Sequence, residues 1–121
     1  MNKNKLYDLE ERTFKFSNNV RNFIGKLPKG LRYSSDVKQL LRSSGSVAAN
    51  YIEANESLSK KDFFHRIKIC RKEAKESRLW LRLIEEDKEL KEMKNDLIQE
   101  ALELAKIFGS IVNGGKRKPK P

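Results

Sequence analysis

The stretch Gln39-Leu40-Leu41-Arg42-Ser43-Ser44-Gly45-Ser46-Val47-Ala48-Ala49-Asn50-Tyr51-Ile52-Glu53-Ala54 decides the fold. Its apolar and small residues, led by Val37 and running through Leu40, Ser44, Val47, Tyr51 and Ala54, recur at steps of three and four. That is the spacing of one helix face, and no period-two alternation competes with it. A second line of Gln39, Arg42, Ser43, Ser46, Asn50 and Glu53 shares another side at the same spacing. A solvent face ordinarily carries Lys and Glu. Small, polar, uncharged residues cost helix propensity, Gly45 about 1 kcal/mol against Ala, and suit close approach by another helix instead.

Working outward, three more segments carry the same periodicity. The first has Leu6, Leu9, Thr13, Phe16, Val20, Phe23 and Leu27; the third has Phe63, Ile67, Cys70, Ala74, Ser77, Leu81 and Ile84. The last has Leu90, Met93, Leu97, Ala101, Leu104, Phe108 and Ile111. Breaks separate them. Leu27-Pro28-Lys29-Gly30 reads as a turn, Ser59 with Asp62 has capping-box spacing, and Asp87 is placed to cap a new helix after Glu85-Glu86. Gly114-Gly115 ends the last helix, and Lys116-Arg117-Lys118-Pro119-Lys120-Pro121 reads as a disordered basic tail. Four amphipathic helices with short connections bury their stripes by packing up-down-up-down. The expectation is an all-α antiparallel four-helix bundle over residues 1–115, followed by a tail at 116–121.

The first, third and fourth segments also have apolar residues beyond a single stripe: Phe14 and Ile24, then Ile69, Trp80 and Leu83, then Ile98, Leu102 and Val112. They are either a wide stripe with some exposure, which is ordinary, or a face that packs on another subunit.

At 121 residues the chain is one domain with enough surface to bury a core. Its lone cysteine excludes an internal disulfide framework and paired-cysteine metal knuckles. No apolar run is long enough to cross a membrane, and no apolar region follows the basic Met1–Lys5 stretch, so a cytoplasmic setting is expected. With one histidine and no Glu-x-x-His, a di-metal bundle site is not expected. No phosphate loop of Walker or Rossmann spacing is present, and Cys70 falls on a core stripe. The reading is of a protein that is not an enzyme and needs no cofactor.

Charge points elsewhere. The net +10 is concentrated in residues 1–42, residues 60–86 and the tail, while the intervening blocks are slightly acidic. Lys61, Lys68, Arg71, Lys75, Arg78 and Arg82 climb the third segment at helical steps, flanked by Arg66 and Lys72. Acids do not alternate into this ladder, and Arg12, Lys15, Arg21 and Lys26 add to the surplus. Such a ladder follows a phosphate backbone with strong salt dependence and little sequence preference. Few aromatics are interleaved, so base stacking has little support. Glu73 and Glu76 point away from the ladder, and a polar network joining Arg42, Ser46, Asn50 and Glu53 to them is expected inside the bundle. An apolar-plus-basic face docking an acidic protein is the rival reading.

Several stretches together resemble a known family: Arg12-Thr13-Phe14, Leu27-Pro28, Gln39–Ser43, Ser46–Ala54, Asp62-Phe63, Glu73-Ala74-Lys75-Glu76 and Trp80-Leu81. The chain is similar to bacterial four-helix-bundle proteins encoded by intervening sequences in 23S rRNA genes. It is also similar to the accessory variability protein of diversity-generating retroelements. The resemblance covers residues 6–113 and is most specific over QLxRSxxSxxxNxxEA. It implies a ring-shaped homopentamer with basic surfaces, which in the retroelement relative binds nucleic acid and a reverse transcriptase. It also makes Arg42, Ser43, Ser46, Asn50, Glu53, Glu73 and Glu76 architectural residues.

Overall fold

The structure, a computed structural model, describes residues 3–85 and 87–116, with side chains described for 9–85 and 87–114. Its elements are α1 (Lys3–Lys26), α2 (Lys29–Arg32), α3 (Ser35–Asn55), α4 (Lys60–Leu83), a 3-10 turn (Lys88–Leu90) and α5 (Lys91–Lys116). The four long helices are those the periodicity predicts. Among the described residues there is no strand.

Helix starts follow side-chain chemistry. Ser34 Oγ accepts the Val37 N–H at 3.2 Å to open α3, and Ser59 Oγ accepts the Asp62 N–H at 3.1 Å to open α4. Each satisfies one of the orphan donors of a first turn. Three readings of the breaks change. Pro28 does not simply stop α1: with φ −55° it sits at the N-cap of the one-turn helix α2, and Gly30 has no positive φ. Arg32 reaches back to cap α1, donating to Leu27 O at 2.9 Å and Gly25 O at 2.8 Å. Asp87 precedes the 3-10 turn without a side-chain capping bond. At the far end α5 runs through Gly114 and Gly115 to Lys116; the remaining residues of the expected tail, 117–121, lie outside the described residues.

The helices pack in chain order around one core, α3 against α1 and α4, and α4 against α5. Among the described residues the α3–α4 seam is the most extensive, and the α1–α5 seam that closes the bundle is the lightest of the four. Tyr51, Phe16, Phe23 and Phe108 are fully buried, and the Tyr51 and Phe108 rings meet 6.1 Å apart. Burial of each is worth about 1.5–3 kcal/mol. Small residues set the α3–α4 spacing. Ser43 and Ser77 hydroxyls hydrogen-bond at 2.8 Å, and Cys70 Sγ donates to Val47 O at 3.6 Å.

Half of the second apolar set joins this core. Val112 is buried, and Ile24, Trp80 and Ile98 pack against the core, while Phe14 and Leu83 stay exposed. No described helix is long and apolar enough to cross a membrane.

Burial pushes the Cys70 thiol up to about 12. Its folded value lies above the ordinary value, so the folded state keeps a proton that the unfolded chain releases. The stability this gives is full below about pH 8.5 and is lost as pH rises toward about 12. Cys70 should resist maleimide at about pH 8 until urea unfolds the chain, and the urea midpoint should fall as pH passes about 9. Immediate labelling of the native protein would contradict this placement.

Candidate nucleic-acid interface

The ladder lies on one exposed side of α4. Lys61, Lys68, Arg71, Lys75 and Arg82 are exposed and Arg78 is half-buried. From Lys61 to Arg82 the line extends about 32 Å at 1.5 Å per residue. Among the described residues, no ion pair joins Lys61, Arg71, Lys75, Arg78 or Arg82 to a carboxylate. Two shallow clefts flank Arg71 and Lys75. One is lined also by Lys68, Lys72, Glu76 and Leu79; the other, toward α5, by Arg78, Leu102, Ala105 and Lys106. Leu79 and Leu83 stand exposed beside the cations.

The α4 acids beside this face are engaged by Arg42, although Glu76, expected to point away from the ladder, also lines its first cleft. Glu73 is buried on the α3 side of α4, with Oε1 3.3 Å from Arg42 Nη2, and Glu76 Oε1 lies 3.0 Å from the same nitrogen. These carboxylates hold the Arg42 guanidinium above its ordinary range, the hydrogen bond to Glu73 contributing most. Gln39 completes the fork by accepting from Arg42 Nε at 3.1 Å. Glu73 Oε1 nevertheless has no aligned donor, and the flanking Lys72 reaches only Oε2, at 3.8 Å.

The expected network is in fact divided. Arg42, Glu73 and Glu76 form one group. Asn50 forms a second, donating to Ser46 Oγ at 2.9 Å and Ser46 O at 3.0 Å while its Oδ1 accepts from Arg66 at 2.9 Å. Glu53 is exposed and joins neither, lining a polar cleft with Asp62, His65 and Arg66. Antiparallel register is the reason. Arg42 faces Glu73, Val47 faces Cys70 and Asn50 faces Arg66, so Glu53 falls opposite the first turns of α4, far from Glu73.

A third charge group was not foreseen. Arg12, counted above toward the basic surplus, donates to Glu100 at 2.7 and 2.9 Å and to Glu103 at 3.0 Å, tying α1 to α5. The bond to Glu100 is the main cause of the raised Arg12 value. Gln99 first, then Arg12, hold Glu103 below the usual carboxylate range, with Lys106 adding to the effect. Glu100 and Glu103 of α5 are therefore turned to α1 and not to the ladder. Sequence spacing carries no signal for contacts 88 and 91 residues apart. Among the described residues no group of three or more His, Cys, Asp and Glu is gathered to hold a metal.

Residues 6–110 match the family described as 23S rRNA-intervening sequence protein. The fold is similar to the crystal structure of a protein of unknown function, from the S23 ribosomal protein family, of Bacteroides thetaiotaomicron. The two are 26% identical with a TM-score of 0.74, over 86% of this chain and 97% of that one. No curated protein matches the chain.

Arg42 is half exposed, so its removal strands one buried carboxylate beside water rather than a whole buried pair. Arg42→Ala should cost about 1–2 kcal/mol in urea unfolding, below the ~3–5 kcal/mol of a fully buried pair. A loss under about 0.5 kcal/mol would show that Glu73 needs no partner.

Proposed function

We propose that the chain, which belongs to the 23S rRNA-intervening sequence protein family, is a non-enzymatic, oligomeric nucleic-acid-binding bundle of the bacterial cytoplasm. It holds phosphate backbone along α4 without strong sequence preference. The observation that carries this reading is the ladder itself: five cations on one helix face without an ion-paired carboxylate among the described residues. Its reach of about 32 Å is close to one duplex turn of about 34 Å. Like charges at this spacing repel one another, a cost that a polyanion removes while releasing its own counterions.

Assembly is the second half of the proposal, and its subunit number of five rests on the resemblance. Phe14 and Ile52 are exposed on the α1–α3 side, 58% and 49%, where they line a cleft with Ala48 beneath Glu10 and Glu11. Leu41 lies on the same face of α3. An apolar patch rimmed by polar residues is a surface suited to another subunit. Sedimentation should then give a species several times the 14.1 kDa chain mass.

A rival reading has its own support. Leu79 and Leu83 among the α4 cations make a mixed apolar and basic face, fit for an acidic protein partner such as a reverse transcriptase. Co-purification that survives nuclease treatment would favour that adaptor role.

Anisotropy titrations against labelled RNA and DNA decide between them. Binding should weaken steeply from about 50 to about 200 mM salt, as expected for several released counterions. Replacing Lys68, Arg71, Lys75 and Arg78 by Ser should cut affinity by at least about 100-fold at low salt and flatten the salt slope by about 3–4. No binding at about 50 mM salt would reject the proposal.

A further inference from the structure

Within the basic face one place is more than a surface of lysines. The cleft between α4 and α5, about 250 Å³, has Arg71, Lys75, Arg78 and Lys106 around it and Leu102 and Ala105 as its apolar lining. No carboxylate lines it. Arg71 lies across α5 at Gly109, where a Cβ would stand 3.5 Å from its Nε, so both the cation and its neighbouring helix are in contact at this end. Arg78 Nε is buried and has no hydrogen-bond partner. A buried, unmatched donor is costly, and here it belongs to a planar fork suited to two oxygens at once. Glu103, the acid nearest Lys106 along α5, is engaged by Arg12.

We infer that this α4–α5 cleft is an anchoring subsite for one phosphate group of a bound strand. On binding, Arg78 turns its Nε–Nη edge out to two phosphate oxygens, Lys75, Arg71 and Lys106 supply charge around it, and the adjoining sugar lies against Leu102 and Ala105. The inference rests on the nucleic-acid reading above and deepens it: the remainder of the ladder contributes diffuse attraction, while this cleft fixes where the strand sits. Phosphate contacts of this kind set register without reading sequence.

Arg78→Lys tests it, because lysine keeps the charge and loses the fork. With a labelled strand of about 12 nucleotides, oligo-U or oligo-dT, Arg78→Lys should weaken binding about 5- to 10-fold with little change in salt slope. Lys106→Gln should weaken it about 3-fold, and Lys61→Gln, the same charge change outside the cleft, less than about 2-fold. Arg78→Lys binding like wild type would overturn the subsite and leave the basic-face reading standing. Inorganic tripolyphosphate separates the sources of phosphate. Should wild type bind it in an Arg78-dependent way but bind no strand, the subsite holds for a free polyphosphate and the nucleic-acid reading falls. Binding of neither overturns both.

Discussion

The close approach of α3 and α4 is the constraint on which the rest depends. Ser43, Val47, Cys70 and Ser77 bring the two backbones near enough for a hydroxyl pair at 2.8 Å and for a thiol to reach a carbonyl on the facing helix. A larger residue at any of these positions would push the helices apart and unpack Tyr51, Ile67 and Leu81, all fully buried. The run of small residues that lowers the helix propensity of α3 is therefore offset by dense packing, which tolerates little change in volume. It also fixes register. Once Ser43 meets Ser77, the partners of Arg42 and Asn50 are determined.

From that register follows the distribution of charge. Glu73 and Glu76 are drawn to Arg42 on one flank of α4, and Arg66 is drawn to Asn50. On the opposite side of the bundle Glu100 and Glu103 are occupied by Arg12. What remains on the outer face of α4 is an excess of cations whose potential is not cancelled locally. The surplus is thus a product of packing as much as of composition, since a bundle of the same residues in another register would pair many of these charges off.

The sequence displays the helices, their caps and the core stripes directly, because those are local: Ser34, Ser59 and the steps of three and four each act within a turn or two. The ladder on α4 is legible for the same reason. What escapes is set by contacts between distant segments. Asn50 and Glu53 share a helix face with Arg42, yet their distance from Glu73 depends on antiparallel pairing that no single helix reveals. Arg12 reads as one more free base until α1 and α5 are brought together. Pro28 and Gly30 carry the composition of a turn, and the one-turn helix Lys29–Arg32 that follows Pro28 exists because Pro is also well suited to the start of a helix. Arg78 reads as an ordinary rung, and only its surroundings on α5 distinguish it.

The light seam between α1 and α5 has a mechanical consequence. Its described ion pairs are the partly solvated Arg12–Glu100 and Arg12–Glu103 contacts, which dissolved electrolyte weakens. The α3–α4 seam carries the half-exposed Arg42 pairs as well, but it also has the buried Ser43–Ser77 contact and the more extensive packing, which electrolyte does not touch. The bundle accordingly has unequal edges: α3 and α4 form its most extensively packed spine, and the α1–α5 edge is the one expected to loosen first. A cation-bearing surface carried on the spine keeps its shape while the opposite edge yields, so the molecule can adapt to a neighbour along one side without disturbing the other.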